Sequence, residues 1–255
     1  YFFENDILNT FENWNEKLKH VLFYESLGSL HDKIIRMANI SKIFAKEFGV
    51  KSELAKQAAI LSKADLVSEM VMEFPELQGI MGGYYAKIKN EHEEVTKAIF
   101  EHYKPKGVSD DLPETKLGSL LSMVDKIDTL VGFFSIDKKP TGSKDPFALR
   151  RNSLSIVQIL INFKLNLSLN ELLEPSLKEY GCSSQSIKHN LIDFMIDKLK
   201  YVFSNKSNRM DVVNSVLNTI IFNDIPIKII SIRIDSIIKF TKNNDFKNHE
   251  ILNLL

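Results

Sequence analysis

The sequence predicts a mainly α protein built from two helical domains, and three observations carry that reading. Apolar residues recur with a period of about 3.6 through nearly every segment, the spacing that turns one stripe of a helix toward a core. Helix breakers stand between those segments, at Gly49, Pro75, Pro105 to Gly107 and Pro113. The third observation is the run Pro-Thr-Gly-Ser-Lys-Asp-Pro-Phe-Ala-Leu-Arg-Arg from Pro140 to Arg151. Its two prolines, glycine and Asp-Pro pair hold the chain in an extended turn before helical spacing resumes.

Taken in order, Tyr1 to Phe3 carries the only strand signal, the end of a strand. Residues 7–24, 28–48, 52–62, 66–73, 76–88, 92–103 and 116–134 then read as helices. The Pro140 turn is the best boundary, so residues 1–139 form the first domain and 140–255 the second. Helices follow over 147–163, 168–179, 185–203, 208–221 and 225–242, with the Ser204–Asn208 and Asn243–Asn248 clusters as loops.

Composition sets limits. The 255 residues, 44% hydrophobic and 26% charged, leave room for one or two globular cores. Lys plus Arg equals Asp plus Glu at 33 each, so no global positive field draws in nucleic acid, and such contacts must come from local patches. One cysteine, Cys182, excludes an intramolecular disulfide and a cysteine metal cage and fits a reducing cytoplasm. No apolar run approaches the roughly 20 residues that span a bilayer, and no signal-peptide pattern opens the chain. It begins at Tyr1 without a methionine and reads as a piece of a longer protein.

Basic residues gather where the turn chemistry is. Lys104 and Lys106 flank Pro105 beside Tyr103, while Lys138, Lys139 and Lys144 surround the connector that leads to Arg150 and Arg151. Lys144, Arg150 and Arg151 stand at the start of a predicted helix, where the macrodipole opposes cations. An external anion, such as a phosphate backbone, would give a reason to place them there. Local physics leaves open the alternative of solvated surface charge.

The Pro140–Arg151 run resembles the beta subunit of the bacterial two-subunit glycyl-tRNA synthetase. So do Lys63–Ala86 (KADLVSEMVMEFPELQGIMGGYYA), Leu117–Ile136 (LGSLLSMVDKIDTLVGFFSI) and Leu27–Lys33 (LGSLHDK). The similarity is dense from Leu22 to Leu160 and thins beyond. The resemblance implies tRNA binding and assembly as this chain's part. ATP-dependent glycine activation, with its ATP and magnesium, would then occur on a separate alpha subunit of a cytoplasmic α2β2 heterotetramer. It implies no membrane, and no catalytic residue, metal or cofactor in this chain. The expected contacts to glycine tRNA are Lys104, Lys106, Lys138, Lys139, Lys144, Arg150 and Arg151, and residues 140–255 would lead toward an anticodon-binding domain beyond Leu255.

The helical layout of the first domain is also similar to the HD superfamily of metal-dependent phosphohydrolases. That family places a histidine three residues before an arginine, then an adjacent His-Asp pair, then an aspartate in an Ala-Asp-x-x-Asp setting. The matching stretches here are Lys33-Ile34-Ile35-Arg36, Ser62-Lys63 and Val124-Asp125-Lys126-Ile127-Asp128. Only Asp125 keeps a ligand, and an ammonium in a metal's shell repels the ion. The resemblance therefore implies a degenerate HD-like domain, with a Lys63–Asp125 pair as the candidate structural substitute for the ion.

Further residues carry weaker chemical signals. His31 and Asp32 are neighbours but out of phase with the ligand position. His102 reads as a helix-end residue favourable to the dipole. Asp65 and Glu69 share a helix face and read as surface charge. Tyr84 and Tyr85, after Gly82-Gly83, read as core, and the Gly-Gly pair lacks the rest of a nucleotide cradle. Cys182 has no histidine partner nearby. Two other classes stay open: a metal-dependent HD-type phosphohydrolase, and a helical scaffold that docks a catalytic subunit without touching RNA.

Overall fold

The computed structural model describes residues 1–107, 110–140, 145–218 and 224–243, and these are overwhelmingly helical. The chain divides into two compact units, Tyr1–Ser155 and Ile156–Leu255. Among the described residues no helix is long and apolar enough to cross a membrane.

The first unit opens on α1 (Phe2–Leu8), not on a strand end at Tyr1 to Phe3. Tertiary anchoring overrides the β-prone look of three aromatic residues. The buried Asp6 carboxylate accepts the Glu69 and Met70 backbone N–H groups at 2.8 and 3.0 Å and the Tyr85 hydroxyl at 2.6 Å. Nor is 7–24 a single helix. Thr10 caps α2 (Phe11–Leu18) by accepting the Asn13 N–H, and the chain then enters a two-stranded antiparallel hairpin, β1 (Leu22–Tyr24) with β2 (Gly28–Ser29). A short run such as Leu-Phe-Tyr suits either state, so its apolar spacing could not separate them.

Helix α3 (Leu30–Phe48) starts with a reciprocal cap. Ser29 accepts the Asp32 N–H while the Asp32 carboxylate accepts the Ser29 N–H, which satisfies two orphan donors and fixes Asp32 as a structural residue. Gly49 ends it at φ 64°, a left-handed conformation natural to glycine. There follow α4 (Ser52–Leu61), the one-turn α5 (Glu69–Glu73), α6 (Ile80–Ile88), α7 (Glu93–Glu101) and α8 (Lys116–Ser135). Every residue of α8 from Leu117 to Asp128 is buried, as expected of a helix surrounded by others, and α3, α4 and α7 pack around it. Three of those buried positions, Asp125, Lys126 and Asp128, are charged.

Helix α9 (Leu149–Asn162) contains the division between the units. The second unit continues with α10 (Leu169–Glu179), α11 (Gln185–Ser207), α12 (Met210–Asn218) and α13 (Ile227–Asn243), each packed on the next. Its core is drawn from helical stripes, Leu191, Met195 and Leu199 from α11 and Ile227, Ile230 and Ile234 from α13. Ser204–Ser207 continue α11 rather than forming a loop, and Asn208 at φ 53° ends it. The predicted end of the 208–221 helix and most of the Asn243–Asn248 cluster lie outside the described residues.

Candidate functional site

Four elements converge on one polar cluster inside the first unit. Helix α3 supplies Lys33 and Arg36, α8 supplies Asp125 and Asp128, the turn after α4 supplies Lys63, and the end of α7 supplies His102. The i, i+3 spacing on α3 and on α8 puts each pair on one helix face, so the two faces meet as cations against carboxylates. Lys33 Nζ lies 3.0 Å from Asp125 Oδ1 and 3.1 Å from Asp128 Oδ2, and it also donates to Thr129 Oγ1 at 2.8 Å. Arg36 grips Asp128 through Nε at 2.7 Å and a terminal nitrogen at 3.3 Å, and Lys63 Nζ donates to Asp125 Oδ2 at 2.7 Å.

Burial alone would push the Asp125 carboxyl up, but the Lys33 and Lys63 ammonium groups outweigh it and hold the carboxyl well below the ordinary range. His102 stands at the end of α7 as expected, but it is fully buried and belongs to this network. Its Nδ1–H donates to the Ile99 carbonyl at 2.7 Å, which leaves Nε2 to accept from Lys63 at 3.0 Å. Burial first, and the Lys63 charge second, push its pKa well below the usual imidazole value. The Lys63 ammonium also sits 3.9 Å from the centre of the Tyr103 ring.

This donor set does not fit a metal ion. Ammonium groups stand at two of the positions where a ligand would be needed, and both are already committed to Asp125. Among the described residues no group of three or more His, Cys, Asp and Glu could hold an ion. The Lys63–Asp125 pair expected across the pocket is present, with Lys33 as its second cation.

Two further expectations are corrected. Asp65 is no surface charge: it is fully buried and accepts the Gly79 and Gly82 backbone N–H groups at 2.6 and 2.9 Å, tying the start of α6 to the turn after α4. Burial raises its pKa against those two donors. Tyr85 is core as expected, while Tyr84 is half exposed and sets its ring edge-on to Phe100.

Beside the network lies a cavity of about 390 Å³ whose lining includes Tyr103, Lys106, Asp125, Lys126 and Arg151. Lys126 donates to Ser122 Oγ at 2.7 Å and to the Lys104 and His102 carbonyls at 3.1 and 3.4 Å. Burial pushes its pKa down to about 8. The one signal for Lys126 in the sequence is a lysine between two aspartates, Asp125 and Asp128, in a largely apolar helical run.

The expected tRNA contacts fall in several settings. Lys106 and Arg151 are exposed and meet at the cavity. Lys104 is half-buried, with its carbonyl held by Ser122 and Lys126. Lys138 is exposed beyond α8, and Lys139 lies 3.1 Å from Asp137. Lys144 lies outside the described residues. Beside Arg150 and Arg151 the chain supplies an anion of its own: Asp145 accepts the Leu149 and Arg150 N–H groups, both at 2.8 Å, and so occupies the start of α9.

Residues 1–218 match the family model described as glycyl-tRNA synthetase beta subunit. The chain belongs to that family. It is 44% identical over 247 residues to the glycine–tRNA ligase beta subunit of Rickettsia bellii (strain OSU 85-389), covering 97% of this chain and 35% of the relative. With the beta subunit of Sulfurihydrogenibium sp. (strain YO3AOP1) it shares 39% identity over 219 residues, 86% of this chain and 30% of that one. The corresponding protein of Chromohalobacter salexigens is 42% identical over 202 residues, 78% of this chain and 29% of its own length. The chain thus spans about a third of the length of these glycyl-tRNA synthetase beta subunit relatives.

Proposed function

We propose that this chain is the part of a glycyl-tRNA synthetase beta subunit that contributes tRNA binding and assembly. It acts with an alpha subunit that carries ATP- and magnesium-dependent glycine activation, in a cytoplasmic α2β2 enzyme. The observation that carries the reading is the family match over residues 1–218. Its RNA contacts are Lys104, Lys106, Lys138, Lys139, Lys144, Arg150 and Arg151, because phosphate contacts draw on lysine and arginine. A binding role fits the buried cluster of the first unit, where Lys33 and Lys63 hold the Asp125 carboxylate that metal chemistry would need.

The test is a titration of the chain with glycine tRNA and an unrelated tRNA at two salt concentrations, beside a variant with Lys144, Arg150 and Arg151 changed to alanine. Salt-sensitive binding that the variant loses supports the reading, and each phosphate contact removed lowers the slope of log K against log salt by about one. Absence of binding by the intact chain favours a docking scaffold that leaves RNA to other parts of the subunit.

A further inference from the structure

We infer that the cavity beside the Lys63–Asp125 network is a binding site for a phosphate-bearing anion, with Arg151 and Lys106 as its direct contacts and Lys126 as a fixed charge in its wall. The space is adequate: about 390 Å³ lies within the range of small-molecule sites. Its charge is unbalanced. Three cations, Lys106, Lys126 and Arg151, face two carboxylates, Glu76 and Asp125. Asp125 is already neutralised by Lys33 and Lys63, and Glu76 is solvent-exposed.

The Asp110 carboxylate accepts the Lys106 backbone N–H at 2.8 Å, but among the described residues no carboxylate pairs directly with the three cationic side chains. Lys106, Lys126 and Arg151 form no salt bridge among the described residues. Lys126 spends its protons on two carbonyls and a hydroxyl, while the nearest carboxylate, Asp125, is shared with Lys33 and Lys63. Burial lowers its pKa to about 8 against the pull of Asp125, and an anion in the cavity would add to that pull. Gln78 and Asn152 add amide groups to the lining. A guanidinium, an ammonium and neutral amide donors around one space match the several acceptor oxygens and multiple charge of a phosphate better than a single carboxylate.

The site does not depend on tRNA binding, because a free phosphate ester and an RNA phosphate present the same chemistry. The experiment is calorimetric titration of the chain with inorganic phosphate and with adenosine monophosphate, adenosine serving as the uncharged control. The same titrations are run on Arg151→Ala and on Lys106→Ala/Arg151→Ala, whose folding is checked by thermal melting. The expected result is saturable binding of both anions, none of adenosine, and affinity weakened about tenfold or more by the variants at unchanged melting temperature. No saturable binding of either anion, adenosine binding as tightly as its monophosphate, or affinity unmoved in the folded variants would each overturn the inference. Displacement of bound monophosphate by tRNA assigns the anion to RNA, and its persistence assigns a free ester. Anion binding by a chain that binds no tRNA would leave this site standing and overturn the tRNA reading alone.

Discussion

Lys63 and Asp125, 62 residues apart in sequence, meet at 2.7 Å in the core of the first unit. Each also has a second partner, His102 for the lysine and Lys33 for the aspartate, so the pair is one link of a network. Breaking such a link strands a buried charge, which costs more than the pair contributes. Lys63→Met is expected to destabilise the chain by about 3 kcal/mol, and Asp125→Asn by a similar amount. The double variant should cost less than the two together, by roughly 1 kcal/mol or more. Urea unfolding of the four proteins measures this, and strict additivity would remove the coupling.

His102 makes stability fall on the acid side of neutrality. Its folded pKa is depressed by burial and by Lys63, so the unfolded chain takes up a proton that the folded chain refuses. Stability from this group is complete above the unfolded pKa of about 6.5 and declines by about 1.4 kcal/mol per pH unit below it. The expected signature is that slope in unfolding free energy from neutral toward mildly acid pH, reduced by about one proton in His102→Asn. Equal slopes in the two proteins would show that the imidazole is not held neutral.

Much of this was legible in the sequence, and the failures have local causes. The helix predicted over 28–48 was found as Leu30–Phe48 and the one over 116–134 as Lys116–Ser135, because long periodic runs leave one reading open. The Leu22–Tyr24 strand was missed because three apolar residues fit either period. Lys63 and Asp125 could be paired in advance because motif positions place them together. Asp65 and His102 could not, since nothing near them in sequence marks burial, and their partners Gly79, Gly82 and Lys63 lie 14, 17 and 39 residues away. Asp145 was read as part of a turn, whereas its side chain also occupies the start of the helix that follows.

Gly83 is required by a neighbour and not by its backbone. A Cβ there would lie 2.4 Å from the Phe100 ring, closer than packing permits, so α6 and α7 approach only because no side chain intervenes. Gly83→Ala should therefore destabilise by about 1–3 kcal/mol despite the better helix propensity of alanine. In a Phe100→Ala background the obstacle is gone, and the same substitution should stabilise by up to about 1 kcal/mol. Thermal unfolding of both pairs reads the change of sign, and a destabilisation that persists without the ring would place its origin elsewhere.

Asp145 holds the start of α9 through two contacts of different origin. Its oxygens accept the Leu149 and Arg150 N–H groups, and its negative charge complements the positive end of the helix dipole. Asp145→Ala removes both and should cost about 1 kcal/mol. Asp145→Asn keeps one acceptor oxygen and loses the charge, so it should fall between alanine and the parent. The charge part is screened by salt while the hydrogen-bond part is not. The gap between parent and asparagine variant should therefore narrow as salt is raised, while the gap between asparagine and alanine stays. Chemical unfolding at low and high ionic strength separates the two, and an alanine variant as stable as the parent would show that the carboxylate does not secure this helix.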